Sequence, residues 1–476
     1  MTVTPGGPTA VTEPAPVAAT VTHEGTLRRQ TSREPSARTY AGSLPVVPVR
    51  ARGLTIEGAD GRRYLDCLSG AGTLALGHNH PVVLEAIRSV LDSGAPLHAP
   101  GLATPVQDAF TAELLTTLPP RLAENASVRF CGPTGADAVG AAVGLVRTAT
   151  GRGGLLAFTG AHHGMTPSAL GGPGRAQDVQ VTRLPFPYDY RCPFGAGGER
   201  GAELAARWTE SLLDDLRDGV PAPAGMILEP VQGEGGVIPA PDTWLRRMRE
   251  ITTDRAIPLI ADEGQTGVGR TGTFWAVEHS GITPDVMVLS QAIGGSLPLA
   301  VIVYRADLER GEPAARPGSF RGNQLAMAAG TATLAYVREN GLAARAGLLG
   351  AQMLRQLRGL AAGHHRVGDV RGRGLMIGVE LVDPESGGDG PAAPPDPALA
   401  EVVRRECLSR GLIVELAGQH TAVVRLLPPL TLTDEQAVAV LDRFCDALAA
   451  AERSVVRRSV PRPSAPRRSL LRRSAG

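Results

Sequence analysis

Short, uninterrupted apolar runs separated by amphipathic stretches are the feature that most restricts the fold of this chain. Such runs are typical of strands buried on both faces, because polar residues do not alternate along them. They occur at residues 224–228, 257–261, 286–290 and 299–304. Between two of them, the amphipathic stretch 244–253 predicts a helix. The alternation predicts an α/β fold in which helices cover both faces of a mostly parallel sheet.

The composition limits the kinds of partner. A chain of 476 residues is long enough for two or three domains with a large apolar core. Its formal net charge of +1 favours neither nucleic acid nor a membrane surface as a partner. Because the chain has no long apolar run and no secretory signal pattern, we expect a soluble, cytoplasmic protein. The five cysteines are scattered without metal-ligand spacing, so no metal site is predicted.

Biased composition marks both ends of the chain and one internal segment. Residues 1–25 are rich in Pro, Thr, Ala and Gly and predict a disordered leader. Residues 454–476 combine Arg, Ser and Pro without apolar periodicity. They predict a disordered tail, with an electrostatic contact to an acidic partner as the alternative. The Gly-, Pro- and Asp-rich stretch 383–397 predicts a surface loop.

The chain contains no lysine, since all 48 of its Lys and Arg positions are arginine. Codon bias explains most of these positions, because arginine covers a protein surface as well as lysine does. A lysine that does covalent chemistry is different. A guanidinium stays protonated and cannot act as the nucleophile that forms an imine.

Two kinds of turn carry candidate chemistry. The turn at residues 131–137 contains glycine and precedes a helix of small residues, so its free backbone N–H groups suit a phosphate. The stretches 229–236 and 262–270 each follow a predicted strand. In open α/β sheets, an acidic residue at such a strand end faces the ligand crevice. Asp262 is therefore a candidate to hold a pyridinium nitrogen protonated, with a helix-capping role as the alternative.

Ordered blocks of sequence resemble class III aminotransferases, and within them the diaminobutyrate aminotransferases. The resemblance runs from about Thr26 to about Ala450. Its blocks are GRRYLDCLSGAGTLALGHNHP (61–81), CGPTGADAV (131–139), GAHHGMT (160–166), EPVQGEGG (229–236), DEGQTGVGRTG (262–272), GITPDVMVLSQAIGG (281–295), FRGNQLAMAAGTATL (320–334) and RLLPPLTLTDEQ (425–436).

The resemblance implies the fold-type I architecture of pyridoxal-phosphate enzymes. A large cofactor domain is expected over residues 85–336. A smaller α+β domain is expected from the two chain ends, residues 26–84 and 337–453. The resemblance also implies a small-molecule substrate and a homodimer, because the family's site is shared between two subunits.

Phosphate-binding residues are implied at matching positions. Thr134, Gly135 and Ala136 are expected to cradle the phosphate of the cofactor. Ser319, where the family usually has Thr, is expected to reach that phosphate from the neighbouring subunit.

The remaining implied residues surround the cofactor ring and the substrate. Asp262 is expected to pair with the pyridine nitrogen, and Gln265 to lie near the ring hydroxyl. Glu229 and His163 are expected to complete the polar surroundings. Arg425 is a candidate for a substrate carboxylate, because its planar fork suits bidentate binding.

Three departures from the family pattern fall around the ring. Gln291 stands where the family has the lysine that forms the internal aldimine, and a carboxamide is neither a nucleophile nor a useful base. His162 replaces an aromatic residue that stacks on the cofactor. Gly264 replaces a branched residue, and we expect these losses to free volume beside the ring.

The departures leave three hypotheses open. The first is an enzyme of specialised biosynthesis that binds pyridoxal or pyridoxamine phosphate non-covalently, with His162 or His163 moving the proton. For His162 the alternative is a polar side chain that merely fills the space of the lost aromatic. The second is a cofactor-free partner subunit of a lysine-bearing paralogue. The third is an aminotransferase shell recruited for another, possibly apolar or prenyl diphosphate, substrate.

Two short motifs resemble metal-binding patterns. The string Asp-Asp-Leu-Arg-Asp at 214–218 matches a magnesium-diphosphate pattern, but a solvated helix end is the preferred interpretation. The string at 78–80 contains two histidines, but the family has the same string in a loop, so a metal pair is not predicted.

Overall fold

The computed structural model describes residues 22–34, 42, 44–164, 179–214, 222–309, 320–387 and 392–459. The strands in this part of the chain are β1 Pro48–Arg52, β2 Thr55–Gly58, β3 Arg63–Asp66, β4 Ala126–Phe130, β5 Gly154–Phe158, β6 Val181–Leu184, β7 Pro223–Leu228, β8 Val231–Gln232, β9 Ile238–Pro239, β10 Leu259–Asp262, β11 Val286–Leu289, β12 Val301–Arg305, β13 Val367–Arg373, β14 Met376–Leu381, β15 Leu412–Ile413, β16 Glu415–Ala417 and β17 Val423–Leu426.

The α-helices lie between these strands and at the chain ends. They are α1 His23–Arg33, α2 Pro81–Asp92, α3 Pro105–Thr116, α4 Pro120–Ala123, α5 Gly135–Thr150, α6 Gly198–Asp214, α7 Asp242–Asp254, α8 Gln324–Glu339, α9 Leu342–Ala361, α10 Pro397–Ser409 and α11 Asp434–Ser459. A short 3-10 helix, Gln291–Gly294, follows β11.

The central sheet has seven strands in the order β4–β12–β11–β10–β7–β5–β6. Strands β11, β10, β7, β5 and β6 are parallel neighbours. β12 runs antiparallel to both of its neighbours, β11 and β4. The predicted mostly parallel sheet is therefore confirmed. The carboxyl ends of β7, β10 and β11 meet at one edge, and this edge carries the candidate site.

Both faces of the sheet are covered, because successive side chains of a strand point to opposite faces. Ile227 and Ile260 belong to the buried cluster that contains Val143 of α5. Their neighbours along the strands, such as Met226 and Leu259, belong to the cluster on the other side. This two-sided burial explains why these strands are continuous apolar runs in the sequence.

The remaining sheets join the two ends of the chain. β15 pairs in parallel with β3, in a four-stranded sheet of order β1–β2–β3–β15. A second four-stranded sheet, β13–β14–β17–β16, is antiparallel. The domain bounds given above stay predictions. At the ends, α1 begins inside the predicted leader and α11 continues past residue 453.

The two strings that resemble metal-binding motifs, 214–218 and 78–80, form ion pairs or hydrogen bonds with protein side chains where the structure describes them. Asp214 ends α6 and pairs with Arg255 at 2.6 Å, whereas residues 215–218 lie outside the described part. His78 Nε2 lies 2.8 Å from a carboxylate oxygen of Asp66. Within the described ranges, no group of three or more His, Cys, Asp or Glu is placed to hold a metal ion. No helix in those ranges is long and apolar enough to cross a membrane.

Candidate active site at the carboxyl edge of the central sheet

A buried histidine orients the carboxylate that ends β10. His163 Nδ1 lies 2.8 Å from Asp262 Oδ2, and Asp262 Oδ1 accepts a hydrogen bond of 3.2 Å from the Gly264 N–H. Burial lowers the pKa of His163, but the hydrogen bond and charge of Asp262, with the charge of Glu229, outweigh burial and raise it. The Nδ1–H therefore donates to the carboxylate. The other ring nitrogen, Nε2, is buried without a partner among the described residues.

Glu229 ties the loop before His163 to the sheet. It follows β7, and its carboxylate accepts hydrogen bonds of 3.1 Å from the His162 N–H and 3.4 Å from the Gly233 N–H. Burial raises the pKa of Glu229 to about 7, against the favourable charge of His163. Burial therefore favours the protonated form of this carboxyl group. His162 itself is exposed at the surface of the site.

The turn before α5 leaves two backbone donors free. Thr134 is the N-cap, and its side chain and that of Asp137 form a reciprocal capping box. The N–H groups of Thr134 and Asp137 are both engaged in that box. In the described part of the chain, the N–H groups of Gly135 and Ala136 have no acceptor. An anion at this helix end would therefore meet Gly135 and Ala136 directly, whereas Thr134 contributes by fixing the turn.

Gln291 has an unusual backbone conformation. Its φ is 56°, in the left-handed region, and it begins the 3-10 helix that follows β11. This conformation costs a non-glycine residue roughly 1–2 kcal/mol. The amide oxygen of Gln291 is buried and has no hydrogen-bond partner among the described residues. Such a strained residue with an unpaired polar atom is typical of a functional position.

The expectation of free volume at Gly264 is wrong. A Cβ atom at this position would lie 2.8 Å from Ser290 Oγ and 3.2 Å from Asp262 Oδ1. The Ser290 hydroxyl therefore lies where a side chain at this position would begin, and it would have to rotate away to admit one. Gly264 is a close-contact position rather than a vacant one.

Arg425 forms two ion pairs. Its side chain is fully buried, and Nη1 lies 2.8 Å from Glu234 Oε1 while Nη2 contacts Glu415. Gln265 bridges the group, because its Oε1 accepts from Arg425 at 3.2 Å and its Nε2 donates to Glu234 at 3.1 Å. Burial raises the pKa of Glu234, but the charge of Arg425 outweighs it and lowers that pKa, so Glu234 is ionised. The cluster of one arginine and two glutamates carries a net charge of −1.

The fold thus gathers most of the predicted residues at one edge. Asp262, His163 and Glu229 form one group, and Gln265 and Arg425 form a second. Ser319 lies outside the described residues. Sequence reasoning missed Ser290, Glu234 and Glu415. The first two lie inside recognised motifs beside chosen residues, whereas nothing in the sequence marks Glu415.

The residues fit a phosphorylated pyridoxal cofactor except at its point of covalent attachment. Free N–H groups at a helix end suit a phosphate, and an oriented Asp262 suits a pyridinium. His163 and Gln291 each have a buried polar atom that pairs with no residue in the described ranges, which also suits a bound polar molecule. No residue of this chain can supply the lysine amine.

Comparison with known proteins decides the family. The family described as aminotransferase class-III matches residues 36–448. The chain belongs to this family. A protein of Rhizobium meliloti (strain 1021) named diaminobutyrate--2-oxoglutarate aminotransferase is 50% identical over 434 residues, covering 89% of this chain and 92% of that protein. A protein of the same name from Haemophilus influenzae is 43% identical, covering 90% and 96%.

Solved structures support the same assignment. An amine transaminase from an uncultivated Pseudomonas species, in its PLP-bound (internal aldimine) form, matches with a TM-score of 0.76 and 29% identity. The match covers 85% of this chain and 95% of that chain. The resemblance to class III aminotransferases and the fold-type I α/β architecture are therefore confirmed.

Proposed function

We propose that this class III family member binds pyridoxal 5′-phosphate or pyridoxamine 5′-phosphate without a covalent bond. We further propose that it acts on a diaminobutyrate-like amino acid in specialised biosynthesis and does not run ordinary transamination. One observation carries the proposal. Gln291, at the family's lysine position, has a buried amide oxygen that pairs with no described residue, whereas the phosphate turn and Asp262 keep the family's pattern.

Different residues of the chain bind the phosphate and position the ring of the cofactor. The N–H groups of Gly135 and Ala136 bind the phosphate. His163 holds the Asp262 carboxylate towards a pyridinium nitrogen, which is a positioning role because the His163 side chain is fully buried. Bound pyridoxal phosphate supplies an electron sink beside the substrate amine.

The exposed imidazole of His162 is the group proposed to hold and move the proton. An imidazole exchanges protons near neutral pH, which a carboxamide such as that of Gln291 cannot do. General-base catalysis of this kind contributes roughly 10²–10⁴-fold to a rate. Replacing His162 by Ala should therefore lower turnover by roughly 10²–10⁴-fold while leaving cofactor binding nearly intact.

The substrate class follows from the charges around Arg425. Glu234 and Glu415, whose side chains are 35% and 37% exposed, offer carboxylates to the ammonium of an amino acid, and displacing either one would free Arg425 for the carboxylate. The relatives named above as diaminobutyrate--2-oxoglutarate aminotransferases support an amino acid of this kind.

A small-molecule substrate and a homodimer complete the proposal. Phe320 is 75% exposed and Leu97 is 50% exposed, and the ring of Phe320 lies 6.3 Å from that of His98. These apolar side chains lie beside the segment that was expected to reach a neighbouring subunit. Replacing Phe320 by Arg should lower the dimer fraction in analytical ultracentrifugation. A cytoplasmic location stays a prediction.

The experiment that tests non-covalent binding compares three proteins. Calorimetry should detect binding of both vitamers, pyridoxal 5′-phosphate and pyridoxamine 5′-phosphate, to the unchanged protein. The absorbance of pyridoxal 5′-phosphate should not shift to the visible band of a cofactor that is bound covalently to lysine. Gln291→Lys should acquire that band. Gln352→Lys is the matched control, because residue 352 is exposed on α9 and adds only a surface lysine.

Two outcomes would contradict the proposal. Rapid transfer of amino groups between diaminobutyrate and 2-oxoglutarate by the unchanged protein would refute the loss of transamination. Failure of both vitamers to bind would favour the partner-subunit or repurposed-shell hypothesis instead.

A further inference from the structure

Ser290 places a hydroxyl group beside the turn that precedes α5. The residue lies between β11 and Gln291 and is 6% exposed. A hydroxyl can donate one hydrogen bond and accept two, so it can serve as a ligand of a bound anion. Within the described ranges, Ser290 Oγ makes no hydrogen bond. Its neighbours in space therefore indicate what it is placed to bind.

Two glycines leave room for this hydroxyl near the N-terminus of α5. A Cβ atom on Gly135 would lie 3.0 Å from Ser290 Oγ, and a Cβ on Gly264 would lie 2.8 Å from it. The hydroxyl therefore lies between the first residue of α5 and the turn that follows Asp262. A larger residue at 135 or 264 would push it away from that position.

The same place contains the two free N–H groups of α5. Gly135 and Ala136 are the first two residues of this 16-residue helix, and neither N–H has an acceptor in the described part of the chain. The nearest carboxylate on the helix, that of Asp137, is engaged by Thr134. Ser290 Oγ, which lies 3.0 Å from the Cβ position of Gly135, is thus next to the positive end of the helix dipole.

We propose that Ser290 is a ligand of a phosphate monoester bound at the N-terminus of α5. Its hydroxyl donates the third hydrogen bond, beside those of the Gly135 and Ala136 N–H groups. The identity of this monoester as the cofactor phosphate rests on the proposed function. The role of Ser290 in binding an oxyanion does not.

The first test compares vitamers with and without phosphate. Calorimetry on Ser290→Ala should show about tenfold weaker binding of pyridoxal 5′-phosphate, the usual cost of a lost hydrogen bond to a charged group. Binding of pyridoxal, which has no phosphate, should stay within about twofold of the unchanged protein. An equal loss for both vitamers, or no loss for either, overturns the proposal.

The second test moves the hydroxyl without removing it, and serves if Ser290→Ala does not fold. Gly264→Ala places a methyl group against Ser290 Oγ, so it should weaken pyridoxal 5′-phosphate more than pyridoxal. Gly144→Ala is the matched control, because a Cβ at that exposed position of α5 meets no atom within 4 Å. Weakening of both vitamers alike by Gly264→Ala overturns the proposal, since disturbance of Asp262 would have that effect.

A third measurement separates this proposal from the proposed function. If neither vitamer binds the unchanged protein, the proposed function fails, and inorganic phosphate becomes the probe. Phosphate should then raise the melting temperature of the unchanged protein and of Gly144→Ala by more than that of Ser290→Ala at the same concentration. An equal rise in all three proteins, or no rise in the unchanged protein, overturns the role of Ser290.

Discussion

The charge balance around Arg425 should set which ligand the site prefers. Glu415→Gln removes one of the two carboxylates that contact the buried guanidinium and keeps the size of the side chain. The net charge of the cluster changes from −1 to 0. The variant should therefore bind dicarboxylates more tightly and diaminobutyrate less tightly than the unchanged protein.

The magnitude follows from Coulomb's law. A ligand charge about 5 Å from the Glu415 carboxylate interacts with it by about 3 kcal/mol at an effective dielectric constant of about 20. Glu415 is 37% exposed at its side chain, so water and salt reduce this interaction. We take half, about 1.5 kcal/mol, which corresponds to roughly tenfold in affinity for each unit charge.

Calorimetry with glutarate and with diaminobutyrate measures both changes. Glutarate is a dicarboxylate without a reacting group, so its binding reports charge alone. Glu385→Gln is the matched control, because Glu385 also pairs with a buried arginine, Arg366, at 3.2 Å but is 71% exposed. If Glu415→Gln shifts both ligands in the same direction, or neither by more than about twofold, the electrostatic reasoning is refuted.

Further predictions concern stability. Burial raises the pKa of Glu229 and of Glu263 to about 7, so the folded protein favours their protonated forms. The free energy of unfolding should fall as pH rises from about 4.5 to about 7, by up to about 3 kcal/mol for each group, and Glu263→Gln should flatten this slope in urea titrations. Gly350→Ala should destabilise the protein by roughly 1–3 kcal/mol, because its Cβ would clash with the backbone oxygen of Gly374. Gly144→Ala should instead stabilise it by roughly 0.5–1 kcal/mol, since the added methyl group meets open space on a helix. Thermal melts that order the two glycine variants the other way would contradict this account.

Local patterns in the sequence were sufficient to predict the layers of the fold. The run at 286–290 predicts a strand ending at Ser290, and β11 ends at Leu289. The turn at 131–137 predicts a helix with a free amino-terminal edge, and α5 begins at Gly135 with two N–H groups that no described residue accepts from. These features depend on neighbours along the chain, so periodicity and turn chemistry carry the information.

Contacts between distant segments were not predictable in the same way. From the sequence, Gly264 predicts free volume where the family has a branched side chain. In the structure, the hydroxyl of Ser290 lies 2.8 Å from the position of a Cβ atom there. The register of β10 on β11 pairs Asp262 with Val288, which places the turn after Asp262 near Ser290. Loss of volume at one position can be judged only when the neighbours that pack around it are known.

The sequence by itself determined the α/β order, the phosphate turn and the lack of any lysine amine, because each is a property of composition or of adjacent residues. Only the tertiary structure decided that Arg425 forms ion pairs with two carboxylates. Glu415 meets it across the β16–β17 pair, and Glu234 meets it from a loop nearly two hundred positions away along the chain. Electrostatic energy depends on distance in space rather than along the chain, so strand register and loop packing set the charge that a ligand encounters.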